Sequence, residues 1–264
     1  MKNLFHAQIN QDVYLLSCTS YGTCMEFGPP TANSYLIIGQ EQALLFDLAV
    51  NAPGLRQYAE ALAQKPLITV VSHGHPDHIF HIDSFDALWL HEADWDFPLC
   101  ALAGVKLPEK LPQLHPVTDG MCFDLGGRVL DVIAIPGHTL GSILLFDRQT
   151  GILFSGDTVA RRLLYGLTGC PPLPAFMENL NRLRNLPIRE IYSAHDRAAL
   201  PPDYPSYMIE MLQAEMPHAS ETWQYPGFPQ MRRLVVGEET SAKYFDAAIP
   251  EILLSGKDDE THAL

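Results

Sequence analysis

Positive charge is scarce in this chain: 17 Lys and Arg stand against 31 Asp and Glu, for a formal net charge of −14. A field of that sign repels phosphate backbones and anionic headgroups, so neither nucleic acid nor a membrane surface is expected as a partner. Long apolar runs are also missing. No stretch approaches the ~18 residues of a membrane-spanning helix, and Asn3, His6, Gln8, Asn10, Gln11 and Asp12 break up residues 1–16, which therefore lack the apolar centre of a signal peptide. A cytoplasmic location is the resulting expectation. The five cysteines (Cys18, Cys24, Cys100, Cys122, Cys170) are odd in number and form no C-x-x-C pair, which argues against a disulfide framework or a thiolate zinc site and suits buried free thiols. Internal repeats, low-complexity tracts and a convincing linker are absent too. The 264 residues are therefore read as one domain, with 200–264 as a C-terminal extension that completes the fold or lines the pocket.

What is present is a series of short runs rich in Val, Ile, Leu and Phe: residues 13–17, 34–38, 43–47, 67–72, 129–135, 143–147, 152–155 and 190–193. Their length and composition predict strands. Asp147-Arg-Gln-Thr-Gly151 predicts a hairpin turn between two of them, and residues 54–65 and 175–185 space their apolar side chains as helices do. Interleaved strands and helices indicate an α/β fold.

Four polar motifs share one placement, each in the loop that follows an apolar strand. Val70-Val71-Ser72 leads into His73, Ala134-Ile135-Pro136-Gly137 into His138, Leu153-Phe154-Ser155-Gly156 into Asp157, and Ile191-Tyr192-Ser193-Ala194 into His195. A layered sheet that delivers its strand ends to one rim brings such loops together. The first loop is the densest: His73, His75, Asp77 and His78 place four potential ligands in six positions. Side chains alternate along extended backbone, so His73 and His75 face the same way and can grip one ion, while Asp77 and His78 follow the turn at Pro76 and can address another. Imidazole and carboxylate donors suit Zn²⁺ first, with Fe and Mn²⁺ also compatible, and an open position on each ion leaves room for water. His6, His81, His91, His115, His218 and His262 have no partner at ligand spacing and are expected not to be ligands, although His81 adjoins the cluster.

HxHxDH, followed by a His in PGHTxGS, an Asp in SGDT and a late His, resembles the metallo-β-lactamase superfamily over roughly residues 10–200. The resemblance implies a four-layer αββα sandwich. It places His73, His75 and His138 on one metal ion and Asp77, His78 and His195 on a second, with Asp157 bridging. Asn33 and Asp47 match positions near the start of the family fold, and Asp47 is expected to fix a ligand loop. The chain departs from common family residues at Leu48-Ala49, at Ile79-Phe80-His81 and at Asp196.

The implied activity is that of a dinuclear metallohydrolase. Two ions about 3.5 to 4 Å apart would bridge a water, lower its pKa towards ~7 and generate hydroxide as the nucleophile, with Asp77 and Asp157 as the carboxylates nearest the chemistry. An Asp in the bridging position resembles the glyoxalase-II and lactonase branch rather than the true β-lactamases, and the short stretch 158–194 leaves no room for the extra domain of nucleic-acid-processing members. The expected substrate is therefore a small-molecule ester, lactone or thioester. Two alternatives remain open: an iron-dependent persulfide dioxygenase with one iron on His73, His138 and Asp157, and a phosphodiester hydrolase of the same fold. Arg161, Arg162 and Tyr165 follow Asp157 closely and could contact substrate, as could the loops 21–30 and 95–114. The substrate itself and the oligomeric state are not legible in the sequence.

Overall fold

The structure is a computed structural model that describes residues 4–18, 33–196, 198–224 and 228–254. Its centre is two stacked sheets. The first runs β1 (Leu4–Asn10), β2 (Val13–Cys18), β3 (Ser34–Ile38), β4 (Ala43–Phe46), β5 (Leu67–Val70), β6 (Ala87–Leu90) and β7 (Gln113–Pro116), in spatial order, antiparallel up to β4 and parallel from β4 onward. The second contains β8 (Cys122–Asp124), β9 (Val129–Ala134), β10 (Ile143–Asp147), β11 (Ile152–Gly156) and β13 (Glu190–Ser193), ordered β13-β11-β10-β9-β8.

The eight apolar runs are all strands, and their side chains show why the fold has layers. In β3, Tyr35 and Ile37 enter one apolar cluster while Leu36 enters another; in β4, Leu44 and Phe46 part from Ala43 and Leu45 in the same way. The second sheet repeats the split: Leu130, Val132, Ile143, Leu145, Ile152 and Phe154 meet the first sheet, whereas Ile133, Leu144, Phe146 and Leu153 face outward. With both faces of both sheets apolar, each outer face needs a cover. Helices α1 (Leu55–Ala63) and α2 (Pro98–Leu102) cover the first sheet, α1 through Leu55, Ala59 and Ala63 at helical spacing and α2 through Cys100. Helices α3 (Leu173–Asn181) and α4 (Tyr204–Glu210) cover the second. The result is an αββα sandwich.

A third sheet was not anticipated. It holds β12 (Arg162–Leu164), β14 (Glu221–Gln224), β15 (Gln230–Val236) and β16 (Phe245–Pro250), ordered β12-β16-β15-β14. Leu234, Phe245, Ala247 and Ile249 join the cluster of α3 and α4, so the chain beyond Leu200 packs into the outer layer over the second sheet. No helix among the described residues is long and apolar enough to cross a membrane. Of the cysteines, Cys18 and Cys100 are buried, Cys122 is exposed and Cys170 half-buried; Cys24 lies outside the described residues. Cys122 thus departs from the expectation of buried thiols, because it stands in the edge strand β8.

At the end of the sandwich where β10 finishes, Arg128 bolts the two sheets together. Its Nε and Nη2 donate to Asp147 Oδ2 at 3.1 and 3.0 Å, and its Nη1 donates to the carbonyls of Ile38, Gln11 and Asp12 at 3.1, 3.3 and 3.3 Å. Both side chains are almost completely buried. Removing one partner of such a pair strands a charge out of water. Arg128→Ala should therefore lower the unfolding free energy by about 3–5 kcal/mol, measured by urea titration; a loss below about 1 kcal/mol would show that the pair is dispensable.

Candidate metal centre

Strands β9, β11 and β13 run in one direction, as their ladders through β10 require, and release their C-terminal ends at one rim. The end of β5 joins them there: the Ile143 N–H donates to the Ser72 carbonyl at 2.9 Å, and the Asn33 N–H to the Ala194 carbonyl at 2.9 Å, both across the seam between the sheets. All four motif loops thus meet. Two glycines allow the close approach. A Cβ at Gly74 would stand 2.8 Å from the Asp94 carbonyl oxygen and 3.3 Å from the Phe97 ring, and one at Gly156, whose φ is +52°, would stand 2.6 Å from Ser72 Oγ.

The structure brings the seven sequence-selected residues into three overlapping groups able to hold a metal ion: His73, His75 and His138; His73, His78 and Asp157; and Asp77, His78 and His195. His138 Nε2 lies 2.8 Å from His75 Nδ1 and 3.6 Å from Asp157 Oδ2. Asp157 Oδ1 lies 3.3 Å from His78 Nε2, and His195 Nε2 is 3.4 Å from both Asp157 Oδ2 and Asp77 Oδ2. Six of the seven are buried; the His195 side chain is 24% exposed and marks the open side.

The outer ring atoms are fixed by hydrogen bonds. His138 donates Nδ1–H to the Leu164 carbonyl at 2.7 Å, and His78 Nδ1 stands 3.0 Å from Asp47 Oδ2. Asp47, at φ +65°, also accepts from Ser72 N–H at 2.7 Å and from Ser72 Oγ at 2.9 Å. With its proton on Asp47, Ser72 Oγ is left to accept from His73 Nδ1–H at 2.9 Å. The inner nitrogens face one another instead: Nε2 of His73 and His75 are buried without a hydrogen-bond partner, and His78 Nε2 and Asp157 Oδ1 have only each other, 3.3 Å apart. Buried polar atoms are rarely left so, and converging imidazole and carboxylate donors fit a divalent cation.

Charge divides the centre in two. Burial, reinforced by neighbouring imidazoles, pushes His73 and His75 well below the ordinary histidine range, and burial lowers His138, so these three are neutral at pH 7. Burial also opposes charge on His78, but Asp157 and Asp47 outweigh it and carry its pKa up to about 10. Against the same burial, Asp157 and Asp77 hold His195 well above the ordinary value. Burial alone would raise the two carboxyls; His195 and His78 instead hold Asp77 and Asp157 below the usual carboxylate range.

Asp94 was missed in the sequence. It is buried, and its carboxylate accepts from Gly74 N–H at 2.9 Å, Thr139 Oγ1 at 2.8 Å and Gly141 N–H at 3.2 Å, which ties the His73–His78 loop to the His138 loop. It stands just past the short strand β6, the same strand-then-loop signal that marks the other four motifs. Three suggested substrate contacts fare differently. Tyr165 is corrected to a core residue: it is fully buried, donates its hydroxyl to the Pro171 carbonyl at 2.5 Å and stacks on Phe176. Arg162 is paired with Glu239 and lies over the Tyr244 ring. Arg161 lies beside Asp196, its Nε 4.0 Å from Oδ1. His81 joins none of the three groups. Residues 21–30 and His262 lie outside the described residues.

Comparison with known proteins identifies the family. The family model described as the metallo-beta-lactamase superfamily matches residues 27–195. The chain is similar to the acyl-coenzyme A thioesterase MBLAC2 of Homo sapiens, 30% identical over 166 residues that cover 48% of this chain and 58% of that protein. It is similar to a hydroxyacylglutathione hydrolase of Chelativorans sp. (strain BNC1), 28% identical over 171 residues, with 62% of this chain and 63% of that one covered. The chain thus spans under two thirds of the length of either relative. In fold it resembles the metallo-beta-lactamase from Pontibacter korlensis, with a TM-score of 0.64, 21% identity, and 80% and 100% of the two chains covered.

Protonated His78 and His195 occupy the carboxylates that a cation would use, so cation uptake must expel their protons. Titrating chelator-treated protein with Zn²⁺ at pH 7, in buffers of different protonation enthalpy, should reveal the release of about two protons per saturated chain, and affinity should rise with pH. Uptake without net proton release would show both imidazoles to be neutral beforehand.

Proposed function

Because the chain belongs to the metallo-β-lactamase superfamily, we propose that it is a hydrolase that holds two divalent metal ions and cleaves a small-molecule ester, lactone or thioester. In this reading His73, His75 and His138 hold one ion, Asp77, His78 and His195 hold the other, and Asp157 bridges them. The observation that carries it is the position of Asp157: one carboxylate lies within 3.6 Å of imidazoles from both sets, His138 on one side and His78 and His195 on the other. Five imidazoles and two carboxylates suit Zn²⁺, with Fe and Mn²⁺ compatible with the same donors.

Bound ions of this kind supply Lewis acidity towards a carbonyl oxygen and an activated water near neutral pH. The chain supplies the rest. Asp77, buried and ionised, lies at the His195 side, where it can orient a nucleophile by accepting a hydrogen bond from it. His195, the exposed member, marks where substrate enters. The hydrogen bonds to Asp47, Ser72 and the Leu164 carbonyl hold the imidazoles in place, so little reorganisation accompanies the reaction.

Two supports favour carbonyl over phosphorus. Both curated relatives bear thioesterase or acylglutathione hydrolase names, and Arg162, one of the two nearby arginines, is committed to Glu239. Divalent ions reverse the local potential whatever the net charge of −14, so the discrimination is expected to be modest. The best carbonyl substrate should exceed the best phosphodiester in kcat/KM by at least about tenfold, or about 1.4 kcal/mol, in a panel of thioesters, lactones, aryl esters and phosphodiesters. A phosphodiester turned over faster than every carbonyl substrate would overturn the assignment. Metal analysis checks the ion count: purified protein should hold about two ions per chain, and His138→Ala should lose affinity and activity together. One iron per chain with oxygen uptake would identify a dioxygenase instead.

A further inference from the structure

Asp196 follows His195, is buried, and belongs to none of the three ligand groups. Its Oδ2 accepts from Ser193 Oγ at 2.5 Å and from the Arg161 backbone N–H at 3.2 Å. Its own N–H donates to Ser193 Oγ at 3.1 Å, and its carbonyl accepts from Asn33 Nδ2 at 2.9 Å. Two residues back along the chain, the Asn33 N–H donates to the Ala194 carbonyl at 2.9 Å, while Tyr35 donates its hydroxyl to the Ser193 carbonyl at 2.5 Å. Three segments are joined in this way: the entry to β3 in the first sheet, the loop after β13 that presents His195, and the loop after β11 that presents Asp157.

The knot lies on one side of the centre only. His73, His75 and His138 are packed in and braced by Ser72, Asp94 and the Leu164 carbonyl, none of which touches Asp196. His195 is the most exposed of the seven residues and sits at the end of a strand whose continuation is this knot. We propose that Asp196 is the positioning residue of the Asp77, His78 and His195 set: it fixes His195 and Asp157 relative to one another across the seam, and the His73, His75 and His138 set, which has braces of its own, depends on it only through the shared Asp157. The proposal rests on the two-ion reading above.

The experiment is a stepwise metal titration with Zn²⁺ against a chromophoric chelator, repeated with Co²⁺ and read by visible absorption at each equivalent. Asp196→Ala should weaken the second ion by about 10–100-fold and leave the first within about threefold. Asp196→Asn keeps an amide oxygen that can accept from both Ser193 Oγ and the Arg161 N–H, so it should restore most of the second-ion affinity. If Asp196→Ala fails to fold, Ser193→Ala removes the hydroxyl that bonds Asp196 Oδ2 and should weaken the second ion alone. Arg128→Ala, at the far end of the sandwich, separates general destabilisation from positioning: while folded it should bind both ions as the wild type does. Wild-type affinity for both ions in Asp196→Ala, or equal weakening of both, would overturn the proposal while the two-ion reading stands. A wild-type protein that takes up only one ion would overturn both.

Discussion

Two ionised carboxylates, Asp77 and Asp157, lie out of water at the rim, and a carboxylate so placed is tolerated only against cations or strong donors arranged close around it. The desolvation of each costs several kcal/mol, so its partners must arrive with little freedom left to lose. This requirement explains why the histidines come from strand ends rather than from independent loops. They follow strands packed into the sandwich, and three of them are braced on an outer ring nitrogen before they meet the carboxylates. Asp47 braces His78 and Ser72, Ser72 braces His73, and the Leu164 carbonyl braces His138. A looser scaffold would let the carboxylates take up protons or water instead.

The family departures near the cluster accommodate one another. Leu48 and Ile79 form a parallel bridge, with the Leu48 N–H donating to the His78 carbonyl at 3.0 Å and the Phe80 N–H to the Leu48 carbonyl at 3.1 Å. Both side chains are buried in the cluster beneath α1. Leu48 and Ile79 therefore fill space against one another, and the loop keeps its register through these backbone bonds.

The parts of the fold that were legible in the sequence are those where packing leaves a strong local pattern. Strands such as β4, β5, β10 and β11 are buried on both faces and read as unbroken apolar runs bounded by turns. Several of the strands that escaped notice are short or lie at edges, although β15 and β16, inside the third sheet, are neither. β7 and β8 have mixed burial, β14 is largely exposed, and β12 has only three residues, so neither alternation nor an apolar run marks them. The site was legible for a related reason: its ligand candidates cluster in sequence or follow recognisable strands. Asp94 escaped because β6 did. Its contacts with Gly74 and Thr139 are long-range and leave no spacing to read. Tyr165 misled because a hydroxyl near a motif has the same sequence signature whether it faces a pocket or a backbone carbonyl in the core.

The division of charge within the centre also bears on how it fills. In the proposed assignment the His73, His75 and His138 set is neutral and braced, so a cation arriving there meets lone pairs and displaces no side-chain proton. The Asp77, His78 and His195 set holds two imidazolium protons against its carboxylates, and a cation must expel them before it can bind. Asp157 faces both sets, within 3.6 Å of His138 on one side and of His78 and His195 on the other, so a cation held by either set would draw on the same carboxylate. Asp157 thereby couples two sets that differ in charge, and that coupling depends on the Asp157 and His195 loops staying in register across the seam.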